Sequence, residues 1–137
     1  MSPNSILLVE DNAADRELTL RELRSNGLAN EIVVKESGEA ALDYLFAGDG
    51  TSRTLPLVMI LDLRLPVVDG IDVLRRVRTD PRTQDLPVMV LTGSSEDVDA
   101  MQTYALRASN FFQKPLTFTR FKAAAEKLGL LKHLDFG

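Results

Sequence analysis

The stretch LVMILDLRLP, Leu57 to Pro66, sets one carboxylate, Asp62, directly behind an unbroken apolar run. Apolarity without alternation marks a strand covered on both faces, which is how strands of a parallel sheet read. The same pattern recurs at Ile6 to Val9, Ile32 to Val34, Val88 to Leu91 and, in shorter form, Phe111-Phe112. Helical patterns fill the intervals. Ser37 is placed to cap a helix carrying Ala40, Ala41, Tyr44 and Leu45, while Val98, Met101 and Ala105 recur at helical spacing, as do Phe118, Phe121, Ala125 and Leu128. Gly27 and Gly129 are placed as left-handed helix ends. Five strand–helix units in alternation imply an α/β fold, an open doubly wound sheet of five parallel strands with helices on both faces.

At 137 residues the chain has the length of one domain, expected to run 1–137 with a core over about 5–128 and an apolar tail at 129–137. Its 16 basic and 20 acidic residues give a net charge of −4 without a basic block, so neither nucleic acid nor an anionic membrane is an expected partner. No run approaches the roughly 18 apolar residues of a membrane span, and the N-terminus lacks a signal peptide, so a soluble cytoplasmic protein is expected. The absence of cysteine excludes thiolate metal sites and cysteine nucleophiles, and the single histidine, His133, excludes His-pair zinc motifs.

In open α/β sheets a ligand sits outside the carboxyl ends of the strands. The residues that follow the runs are Glu10 and Asp11, then Asp62, Thr92 and Lys114. Three carboxylates brought together repel, and a hard divalent cation such as Mg²⁺ relieves them. Those carboxylates, the cation and the Lys114 ammonium balance formally to zero, so a phosphoryl group would meet no net repulsion. Lys114, Thr92 and the metal then offer one partner to each phosphoryl oxygen, and one of the carboxylates would be the nucleophile.

The motifs LLVEDN (Leu7 to Asn12), ILDLRLPVVDG (Ile60 to Gly70), VLTG (Val90 to Gly93) and FFQKP (Phe111 to Pro115) resemble, in order and over nearly the full chain, the receiver domain of two-component response regulators. The resemblance implies the flavodoxin-like strand order 2-1-3-4-5. It implies Asp62 as phosphoryl acceptor, Asp11 assisted by Glu10 as Mg²⁺ ligand, and the backbone carbonyl of Arg64 completing the protein's share. Thr92 and Lys114 match the switch hydroxyl and the phosphate-binding lysine. Lys114-Pro115 matches a cis bond, and Phe111 a switching aromatic. A sensor histidine kinase would donate the phosphoryl group. The signal would leave by the face of the helix before strand five, strand five itself and the helix after it. Such a protein is an acceptor that promotes only its own phosphorylation and dephosphorylation.

Two other classes share parts of the pattern. A pseudo-receiver binding module has the fold without phosphorylation, against which the intact residue set argues. A haloacid-dehalogenase-type phosphatase also places an aspartate after a strand, but usually carries a second aspartate two residues on, where Arg64 stands. Arg64 is expected to reach over the phosphoryl group. Arg107 occupies the place of a helix-ending glycine, and since a left-handed arginine costs on the order of 1 kcal/mol, that helix is expected to end otherwise. Phe46 to Pro56 reads as a long surface loop. The tail LLKHLDFG either extends the last helix and packs on the domain or supplies a homodimer contact. With the VEDN opening it gives a narrower resemblance to regulators associated with bacterial phytochromes.

Overall fold

The computed structural model describes residues 4–46, 55–93, 103 and 105–136. Strands β1 (Ile6–Val9), β2 (Ile32–Lys35), β3 (Val58–Asp62), β4 (Val88–Thr92) and β5 (Asn110–Gln113) form one parallel sheet in the order β2-β1-β3-β4-β5. Helices α1 (Ala13–Ser25), α2 (Gly38–Phe46), α3 (Gly70–Thr79) and α4 (Phe118–Lys127) are present among the described residues. The loop at 47–54 and most of the expected helix before β5, with Ser94, Val98 and Met101, lie outside them.

Because strand side chains alternate, the central runs feed two cores. Leu7, Val9, Met59, Leu61, Val88 and Val90 pack with Ala41, Leu45, Val73, Leu74 and Val77 on the α2/α3 face. Ile6, Leu8, Val58, Ile60, Met89 and Leu91 pack with Leu23, Phe121, Ala124 and Ala125 on the α1/α4 face. Burial of each large side chain contributes about 1.5–3 kcal/mol. Asp62 has the parity of Val58 and Ile60, so it closes the α1/α4 core at its upper end.

The helix ends follow local chemistry. Asn12 Oδ1 accepts from Asp15 N at 2.9 Å and Ser37 Oγ from Ala40 N at 3.0 Å, so α1 is capped by Asn12 rather than by the acidic pair before it. Gly27 (φ +92°) and Gly129 (φ +73°) are left-handed just past α1 and α4. Arg107 contradicts its expectation: it does adopt a left-handed conformation, φ +57°. The compensation comes from Arg78, which donates to the carbonyls of Arg107 (2.9 Å), Leu106 (3.0 Å), Leu86 (2.7 Å) and Gln84 (3.1 Å). A charged guanidinium satisfying four carbonyls outweighs one strained residue.

The tail does not extend α4. After Gly129 it makes a 3-10 turn, Leu131–His133, and Leu130, Leu131 and Leu134 pack on the α1/α4 core. The side chain of Asn30, 6% exposed, fastens it: Nδ2 donates to Asn4 O (2.8 Å) and His133 O (3.0 Å), and Oδ1 accepts from Asp135 N (2.7 Å). Phe136 meets the Phe118 ring edge to face, with centroids 6.0 Å apart. Among the described residues no helix is long and apolar enough to cross a membrane.

Two close approaches fix the loop after β3. A methyl group on Gly70 would lie 2.4 Å from Asp62 O, and one on Gly38 2.4 Å from Val68 O. Only glycine admits either contact.

Candidate functional site

The carboxyl ends of β1, β3 and β5 bring Glu10, Asp62 and Lys114 into one cluster, and the end of β4 sets Thr92 on the same edge. Register accounts for this: Val9 lies beside Leu61, Asp62 beside Leu91, and Thr92 beside Gln113, so the residues after the apolar runs share one edge. The Thr92 carbonyl accepts from Lys114 N at 2.7 Å, which ties the turn after β5 to β4. The Lys114–Pro115 bond is cis.

Lys114 Nζ lies 2.7 Å from Glu10 Oε1, 3.0 Å from Asp62 Oδ2 and 2.9 Å from Asp15 Oδ2. The first two carboxylates are buried, at 1% and 3% exposure, whereas Asp11 is exposed. Burial, and then the neighbouring Asp62 carboxyl, push the Glu10 carboxyl up to about 7, against the lowering pull of Lys114 and of the Asn12 N–H. Burial by itself would lower Lys114. Its contacts with Glu10, Asp15 and Asp62 outweigh that and hold it above its ordinary value.

Glu10, Asp11 and Asp62 each present a carboxylate oxygen within 4.8 Å of the others. This donor set, all hard oxygens and open to water at Asp11, fits a small divalent cation that retains part of its hydration. The loop carrying Glu10 and Asp11 is braced by Arg16. Arg16 donates to the carbonyls of Glu10 (3.1 Å) and Asp11 (3.0 Å), and its other guanidinium nitrogen pairs with Glu36 at 2.9 Å.

Asp62 Oδ1 accepts from Arg64 N at 3.0 Å, and the Arg64 side chain is exposed. Thr92 is fully buried at the end of β4. Phe111, opposite Val90 in β5, is half-buried against the α2/α3 core beside Leu106 and Ala108. Sequence reasoning missed Asp15 and Arg16. Both lie in the first turns of α1, where an acid reads as a helix-dipole partner and a base as a solvated one, and nothing local betrays contacts to residues far along the chain.

Paired carboxylates around one ammonium, at the upper edge of a 2-1-3-4-5 sheet, form an acidic pocket, and comparison with known proteins assigns its family. Residues 6–126 match the response regulator receiver domain, and the chain belongs to that family of signalling proteins. It is 40% identical over 92% of its length, and 81% of the relative's, to the probable methanogenesis regulatory protein FilR2 of Methanothrix harundinacea. Among solved structures it is similar to the bacteriophytochrome response regulator AtBRR, with 42% identity over 96% of both chains and a TM-score of 0.82. It is also similar to the Mn²⁺-bound form of response regulator Rcp1, with 32% identity over 94% of this chain and 96% of that one, at a TM-score of 0.76.

Proposed function

We propose that the domain 1–137 is a phosphoacceptor whose nucleophile is Asp62, loaded by a sensor histidine kinase in the cytoplasm in a Mg²⁺-dependent reaction. The carrying observation is the contact of Lys114 Nζ with Asp62 at 3.0 Å, in a cluster where Glu10, Asp11 and Asp62 converge. An Asp62 carboxylate oxygen forms the new P–O bond while the donor's P–N bond breaks, and the imidazole leaves with the bonding pair. Lys114 pairs with one phosphoryl oxygen and Thr92 donates to another. Glu10, Asp11, Asp62 and the Arg64 carbonyl would hold the cation. When bound, it supplies charge neutralisation for the phosphoryl oxygens.

Acylation of Asp62 adds charge and acceptor oxygens at the upper edge of the sheet. Movement of Thr92 towards them opens room for Phe111, and the face around β5 and α4 carries the change to a downstream protein. The similarity to AtBRR supports a kinase of the bacteriophytochrome type as the donor. For a homodimer, Phe136 and Leu18 are large apolar side chains exposed among the described residues, while Leu130, Leu131 and Leu134 pack in part on the chain's own core.

The test is intact-mass spectrometry after incubation with acetyl phosphate, with and without Mg²⁺. One Mg²⁺-dependent phosphoryl adduct per chain is expected, lost in Asp62→Asn. Adduct formation unchanged in Asp62→Asn refutes the acceptor, and continued turnover of added phosphoesters would point to a phosphatase instead.

A further inference from the structure

Phosphoryl transfer to Asp62 requires Lys114 to meet an incoming anion, yet its ammonium is already engaged by carboxylates on three sides. Two of them, Glu10 and Asp62, belong to the acceptor cluster. The third, Asp15, comes from α1, 99 residues away in sequence, and is fixed there by its backbone N–H bond to Asn12 Oδ1. It is also the most exposed of the three and lines an open cleft with Leu18, Thr19, Pro115 and Leu116.

Charge decides what this contact does. Glu10, Asp11 and Asp62 with a divalent cation and Lys114 are formally neutral, and Asp15 adds one uncompensated negative charge at the rim. A phosphoryl oxygen that takes Lys114 must displace a carboxylate, and Asp15, half in water, is the one whose release is cheapest in desolvation.

We propose that Asp15 is a positioning residue that holds Lys114 in place and competes with the phosphoryl group for it, so that the site resists small anionic phosphodonors. The inference rests on the phosphoacceptor reading of Asp62. Asp15→Asn keeps the size and the helix while removing the charge, and Asp15→Glu keeps the charge.

The experiment is a concentration series of acetyl phosphate with Mg²⁺ on wild type, Asp15→Asn and Asp15→Glu, followed by intact mass, with half-saturation by beryllofluoride measured in parallel and circular dichroism confirming the fold. In Asp15→Asn the apparent KM for acetyl phosphate should fall about fivefold, the size of one removed charge at a partly hydrated site, with little change in maximal rate. Beryllofluoride half-saturation should fall alongside it, and Asp15→Glu should stay near wild type. An unchanged or raised KM in folded Asp15→Asn, with adduct still forming on Asp62, overturns the role of Asp15 alone. No adduct and no beryllofluoride binding in either wild type or Asp15→Asn overturns the acceptor reading and this inference with it.

Discussion

Asn30 and Glu10 are both buried polar residues in loops beside β-strands, and they are buried to opposite ends. Asn30 spends its amide on two carbonyls and an N–H, all neutral and all within 3.0 Å. Nothing about it asks for a further partner. Glu10 sits against another carboxylate, with its carboxyl raised to about 7 and one ammonium shared among three acids. The first arrangement closes the fold around its tail. The second leaves an electrostatic debt at the top of the sheet that a bound cation would relieve, so that stability would be traded for binding.

Breaking the satisfied end should cost the most. Asn30→Ala leaves the Asn4 and His133 carbonyls and the Asp135 N–H without this partner, and urea denaturation should show a loss of about 3 kcal/mol. Phosphorylation should be unaffected, because none of these groups reaches the acidic cluster.

At the other end the sign depends on pH. A carboxyl whose folded pKa is raised binds its proton more tightly in the folded chain than in the unfolded one. Its contribution is therefore fully present below about 4.5, is lost as pH rises from there through about 7, and is flat above. Compared by urea titration without divalent cation, Glu10→Gln should gain on wild type by about 1–3 kcal/mol between pH 4.5 and 8. Mg²⁺ should narrow the difference at pH 8. Equal pH slopes for the two proteins would show that Glu10 bears no such burden.

The smallest effect concerns the same end. Val67, in the loop after β3, is left-handed at φ +63° and 97% exposed, a strained β-branched residue with no packing return. Val67→Asn should raise stability by about 1 kcal/mol in thermal melts.

The sheet and most of the cluster were legible in the sequence for one reason. Apolar runs buried on both faces fix the strands, and a parallel sheet then puts whatever follows each run on a common edge, which is how Glu10, Asp62, Thr92 and Lys114 came together. Asp15, Arg16 and Asn30 escaped because their partners, Lys114, Glu36 and His133, are brought close only by packing, and each residue has a satisfactory local reading as a helix-turn charge or a turn amide. Arg107 escaped for the converse reason. Local steric cost argued against its conformation, and only Arg78, reaching in from α3, reverses the balance.

The tight seats of Gly70 and Gly38 give the loop after Asp62 the character of a rigid anvil. With one backbone pressed against the Asp62 carbonyl and another against that of Val68, there is no slack between the end of β3 and α3. A blow struck at Asp62 is therefore not absorbed on that side. On the proposed phosphoacceptor reading the give comes from the opposite bank, where Thr92 and Phe111 stand, and the direction in which a message travels is set before any message arrives.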